Sequence, residues 1–95
     1  MRYSINSIPI RTENVISRQI DDEAVLVSPE KGEVKVINQT GALIWENCDG
    51  HTTVGQLVDL VCREYQVSRE AAEADVVEFL EALAERGLVS VIVES

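Results

Sequence analysis

The sequence predicts a small α+β domain of the winged-helix kind: a three-stranded antiparallel N-terminal sheet, then three helices and a short C-terminal strand. The first observation behind this is a change of period. Up to Val36 apolar residues alternate, as at Ala24 and Leu26 or Val34 and Val36, and beyond Gly50 they recur at helical steps, as at Leu57, Leu60 and Val61. The second is the stretch where the change happens, Val36 to Gly50, which holds the only tryptophan, Trp45. A large aromatic where a sheet hands over to helices reads as a core anchor.

Taken in order, residues 1–12 have little periodicity and contain Pro9. They suit an arm or an edge strand, because proline cannot donate to a ladder. Residues 13–95 form the domain proper. Glu13 to Ile20 makes a first strand, Asp21-Asp22-Glu23 a tight acidic turn, and Ala24 to Val27 the return strand. Ser28-Pro29-Glu30-Lys31-Gly32 is the strongest turn signal in the chain. Glu33 to Ile37 follows as a third strand, with Val34 and Val36 on one face and Glu33, Lys35 and Ile37 on the other.

Asn38 and Thr40 are both plausible caps for a short helix carrying Leu43, Ile44 and Trp45, which ends at Asp49-Gly50. Thr52 or Thr53 caps a second helix running to about Tyr65, with Val54, Leu57, Val58 and Val61 as its apolar stripe. Ser68 caps the longest helix, with Glu70 in its first turn, where the helix dipole favours a carboxylate. Its core face is Ala72, Val76, Phe79, Leu80 and Leu83; Gly87 ends it, and Leu88 to Val93 alternates as the closing strand.

Composition excludes several functions. At 95 residues the chain is one domain, and 45% hydrophobic residues suit a folded protein. Eight basic against seventeen acidic residues give a net charge of −9. That balance opposes nucleic-acid binding, which draws most of its affinity from basic side chains. No segment is apolar enough to span a membrane or to act as a signal peptide, so the expected place is the cytoplasm. Cys48 and Cys62 lack metal-ligand spacing and read as small apolar fillers. His51 is the only histidine and sits in a polar loop. Glu70, Glu73, Asp75, Glu78, Glu81 and Glu85 fall mostly on the polar side of the last helix, as a solvated face would. With no nucleophile–base pair, metal site or phosphate loop, the chain reads as non-enzymatic and without a cofactor. A helix–turn–helix reading is harder to reject on architecture, but the last helix sets Arg69 and Arg86 against six carboxylates. DNA would be repelled.

The ordered residues Leu26-Val27-x-Pro29-Glu30, Ile37-Asn38-x-Thr40-x-Ala42-x-Ile44-Trp45, Asp49-Gly50 and Thr53-Val54-x-x-Leu57 resemble the PqqD-like family. Tyr65, Asp75-Val76-x-x-Phe79-Leu80-x-x-Leu83 and Gly87-Leu88 continue the same pattern, so the likeness spans roughly residues 13–90. The resemblance implies a peptide chaperone: the third strand pairs with the leader of a ribosomally made precursor peptide, in a cleft against the last helix. It also implies a modifying enzyme as partner, such as a radical-SAM or ATP-dependent enzyme or a leader protease. A winged-helix DNA-binding or regulatory protein-interaction module is the alternative, and a homodimer stays open.

The residues fit strand addition. Glu33, Val34, Lys35, Val36 and Ile37 form an edge whose unpaired backbone groups can recruit an extended peptide. Glu33 and Lys35 would restrain self-association. Opposite them, Val77 and Ala84 lie beside the stripe that includes Leu80, and with Glu73 and Glu81 could wall a groove with an apolar floor and an acidic rim. The N-terminal arm or the closing strand could cover that groove or join two subunits.

Overall fold

Turn chemistry divides the first half of the chain into strands. A computed structural model describes residues 3–92. In it β1 (Ile8–Arg11), β2 (Ile16–Ile20), β3 (Glu23–Ser28) and β4 (Glu33–Ile37) precede α1 (Gln39–Glu46), α2 (Val54–Tyr65) and α3 (Arg69–Glu85), and β5 (Val89–Ile92) closes the fold. Asn14 and Asp21 take left-handed backbone angles, φ 65° and 55°, which short polar side chains tolerate. The turn at Asn14 explains why β2 begins at Ile16 and not at Glu13. Val93, expected in the closing strand, lies outside the described residues.

Strands β2, β3 and β4 make an antiparallel meander in that order, with Leu26 opposite Ser17 on one side and Lys35 on the other. Its inner face buries Ala24, Leu26, Ser28 and Ile37, and α1 packs over β3 and β4. The stripes expected on the helices are largely in place. Val54, Leu57, Val58 and Val61 of α2 and Ala72, Val76, Leu80 and Leu83 of α3 are all buried. Phe79, assigned from sequence to the same stripe, is only half-buried. Trp45 is 4% exposed and joins this core, as its place at the junction suggested.

The caps are specific. Asn38 Oδ1 accepts from the Gly41 N–H at 2.8 Å, so Asn38 and not Thr40 starts α1. Thr53, not Thr52, caps α2, and Gln56 completes a reciprocal box with it. Ser68 accepts from the Ala71 N–H to cap α3.

The N-terminal arm forms its own two-stranded sheet, β1 antiparallel to β5. It also closes helix ends left open by the rest of the chain. The Val54 and Gly55 N–H groups donate to the carbonyls of Ser7 and Ile5 at 2.8 and 2.9 Å. Arg11 donates to the last carbonyls of α1, those of Trp45 (3.1 Å) and Glu46 (2.7 Å), with its guanidinium 6.0 Å from the centre of the Trp45 ring. Thr12 reaches the Gly87 carbonyl beyond α3. The arm is therefore a clamp on three helix ends.

A groove beside the free edge of the sheet

A meander of three strands has two edges, and among the described residues neither β2 nor β4 has a further strand beside it. Their surroundings differ. Every residue of β2 is exposed. Beside β4 lies a groove of about 350 Å³, lined by Lys35, Val36 and Ile37 of the strand, by Asn38, Thr40, Gly41 and Ile44 at the start of α1, and by α3. The α3 wall is Asp75, Glu78, Phe79 and Ala82, spaced so that a helix carries all four on one flank.

Close packing sets this shape. A Cβ on Gly41 would stand 2.7 Å from Cε1 of Phe79 and 3.2 Å from Cβ of Ile37. Gly41 lies in the first turn of α1, and the lack of a side chain there lets the Phe79 ring lean against the helix. At the far end of β4, Glu33 pairs with Arg86 at 3.0 Å, tying the strand to the residue after α3. The groove has an apolar floor of Ile37, Ile44 and Phe79. Its rim carries two carboxylates, Asp75 and Glu78, and the ammonium of Lys35, none of them in an ion pair among the described residues.

The other residues expected to wall a groove are placed elsewhere. Glu73, Val77, Glu81 and Ala84 occupy the opposite flank of α3, on the far side of the buried stripe. Glu73 and Asp59 both pair with Arg69 there, at 3.6 and 2.6 Å, while Val77 and Ala84 pack against the core. Leu80 is fully buried. The structure thus brings together Lys35, Val36 and Ile37 with Asp75, Glu78, Phe79 and Ala82. No spacing within α3 separates its two flanks, and Gly41, whose missing Cβ admits the Phe79 ring, marks only that α1 has a close neighbour. Among the described residues, none of the arm or of β5 lines the groove.

A second, more open depression of about 680 Å³ lies along α2, lined by His51, Thr52, Gln56, Asp59, Cys62, Arg63 and Arg69 among others. It adjoins no free strand edge, so it lacks the row of backbone donors and acceptors that β4 presents.

Among the described residues no three His, Cys, Asp or Glu side chains gather to hold a metal ion. Burial pushes the Cys48 thiol up to about 12, outweighing the nearby Arg11 charge, and it donates to the Ile44 carbonyl. Asp49, held below the usual carboxylate range chiefly by the His51 N–H and also by Thr52, organises the loop before α2. No helix among the described residues is long and apolar enough to cross a membrane.

Comparison with known proteins places the fold. Residues 23–89 match the family model of coenzyme PQQ synthesis protein D, PqqD. The chain is similar to TbiB1, solved in complex with the TbiA(beta) leader peptide: 33% identity over 85% of this chain and 94% of that one, TM-score 0.76. It is similar to lasso peptide synthetase B1, complexed with the leader peptide, at 26% identity over 86% and 96% of the two chains, TM-score 0.75. The PqqD truncation of Methylobacterium extorquens PqqCD, a stand-alone recognition element for ribosomally synthesized and post-translationally modified peptides, shares the fold: TM-score 0.77, 22% identity, 93% and 94% coverage. Among curated proteins none matches the sequence.

Proposed function

The chain belongs to the PqqD family, and from that premise we propose that it is a non-catalytic recognition domain that binds the leader segment of a ribosomally made precursor peptide. The observation that carries the reading is the groove: of the two edges of the meander, β4 is the one backed by a helix wall among the described residues. A leader adds to β4 as a fourth strand, and backbone hydrogen bonds supply most of the affinity while side chains in the groove choose the sequence. Alternate leader residues turn inward onto Ile37 and Phe79. A basic residue beside them meets Asp75 and Glu78.

The bound peptide is then presented to a modifying enzyme in the cytoplasm, such as a radical-SAM or ATP-dependent enzyme or a leader protease. The two similar B1 proteins solved with leader peptides support this reading. The DNA-binding alternative has no support, and the six carboxylates on and around α3 oppose it.

Display selection from a random library of peptides about twelve residues long tests the proposal. The protein is expected to enrich extended apolar sequences that compete for one site, while labelled duplex DNA at low salt shows no saturable binding. Saturable duplex binding with no peptide enrichment would reverse the assignment.

A further inference from the structure

Strand β4 carries its charges and its apolar residues on unexpected faces. Glu33, Lys35 and Ile37 point inward, to the side of the helices, with Glu33 held by Arg86. Val34 and Val36 point outward and are 61% and 54% exposed. Free edges are normally guarded by charge, because a flat apolar edge invites aggregation. Here the only charges on the strand lie on the face turned toward the groove, and the outward face is left apolar.

The outward face is continuous across the sheet. By register, Val34 stands opposite Val27, which stands opposite Ile16; Val36 stands opposite Val25, which stands opposite Arg18. Val25 and Val27 are half-buried, Ile16 is exposed, and the two rows end abruptly at the β4 edge. Directly opposed side chains are the unit of sheet stabilisation, with β-branched pairs among the favourable ones.

We propose that this second face of β4 is a specificity element: the leader presents apolar, preferably β-branched residues outward, opposite Val34 and Val36, as well as apolar anchors inward. The inference rests on the strand-addition reading above and deepens it. A peptide strand directs successive side chains to opposite faces whichever way it runs, so the residues opposite Val34 and Val36 share their face. They extend the rows Ile16–Val27–Val34 and Arg18–Val25–Val36 by one member each. The recognised segment is therefore a short run of consecutive apolar residues, where a groove alone would select a strict alternation. Basic character is confined to an inward position near Asp75 and Glu78.

The test compares peptides selected from the same random library by the parent protein, by Val34→Lys and by Ala82→Ser. Positions that respond to Ala82→Ser are inward, and positions that respond to Val34→Lys are outward. The parent is expected to enrich Val, Ile or Leu at two outward positions. Val34→Lys should change one of them to Asp or Glu while the position opposite Val36 stays apolar. Serine at either outward position of a selected peptide should weaken binding to the parent roughly two- to fivefold. Selected peptides whose outward positions are unconstrained, with unchanged affinity after serine substitution, would overturn the inference and leave the groove reading standing. Failure to select any peptide would overturn both. A parent that sediments as a dimer, with Val34→Lys monomeric and its selected peptides unchanged, would assign the face to a second copy instead and overturn the inference too.

Discussion

The two edges of the meander are built from the same kind of strand, five residues each, yet they offer a peptide very different things. At β2 the row of backbone groups faces open solvent, and every side chain is exposed. At β4 the same kind of row faces a trough whose far wall is a helix. At an open edge water competes for these hydrogen bonds and the net gain per bond is small, whereas an edge sheltered by a groove lets them carry the affinity. A groove adds apolar burial and excludes water from those bonds. The proposed recognition therefore uses the edge that has a wall, and the helical layer supplies that wall.

Removing the support of that wall has the largest expected effect. Trp45 is buried in α1, whose first turn lines the groove. Trp45→Ala should destabilise the domain by about 3–5 kcal/mol, read as an equilibrium denaturation midpoint. Binding should fall with folding, and a variant that melts within a few degrees of the parent would show that the ring is not the anchor. Filling the trough is more selective. Ala82→Arg should weaken peptide binding at least tenfold, about 1.4 kcal/mol or more, with little loss of thermal stability, whereas Gln19→Arg on β2 should change neither. If the β2 variant is the one that blocks binding, the two edges have been assigned the wrong way round.

Electrostatics sharpen the same contrast with a smaller effect. Asp75→Asn combined with Glu78→Gln should weaken binding of a selected basic peptide several-fold at low salt and flatten its salt dependence, because exposed charges are screened within about 8–10 Å at physiological ionic strength. Affinity that keeps its salt slope would place the cation elsewhere. Gly41→Ala is the mildest change. The added methyl must displace the Phe79 ring, so ring resonances should shift and affinity fall a few-fold while the fold persists; unchanged Phe79 resonances would mean the trough is not held by this contact.

Much of the fold could be read from local chemistry. The strands, the turns at Asp21 and Gly32, the caps Asn38, Thr53 and Ser68 and the buried stripes of α2 and α3 all follow from residues within a few positions of one another. That Glu33 to Ile37 is an edge strand was readable for the same reason. The wall was not. Both flanks of α3 show an apolar pair with two carboxylates, Val77 and Ala84 with Glu73 and Glu81, or Phe79 and Ala82 with Asp75 and Glu78. Which flank meets β4 is set by how α3 rotates against α2 and β5, and no spacing within the helix records that rotation. The clamp by Arg11 was hidden likewise, since it joins groups more than thirty residues apart.

Amide hydrogen exchange, with and without a peptide taken from the selection, tests the edge assignment most directly. Strand addition at β4 predicts slowed exchange in residues 33–37 together with the facing part of α3, residues 75–82, and no change in residues 16–20. Protection of residues 16–20 with 33–37 unaltered would contradict the account.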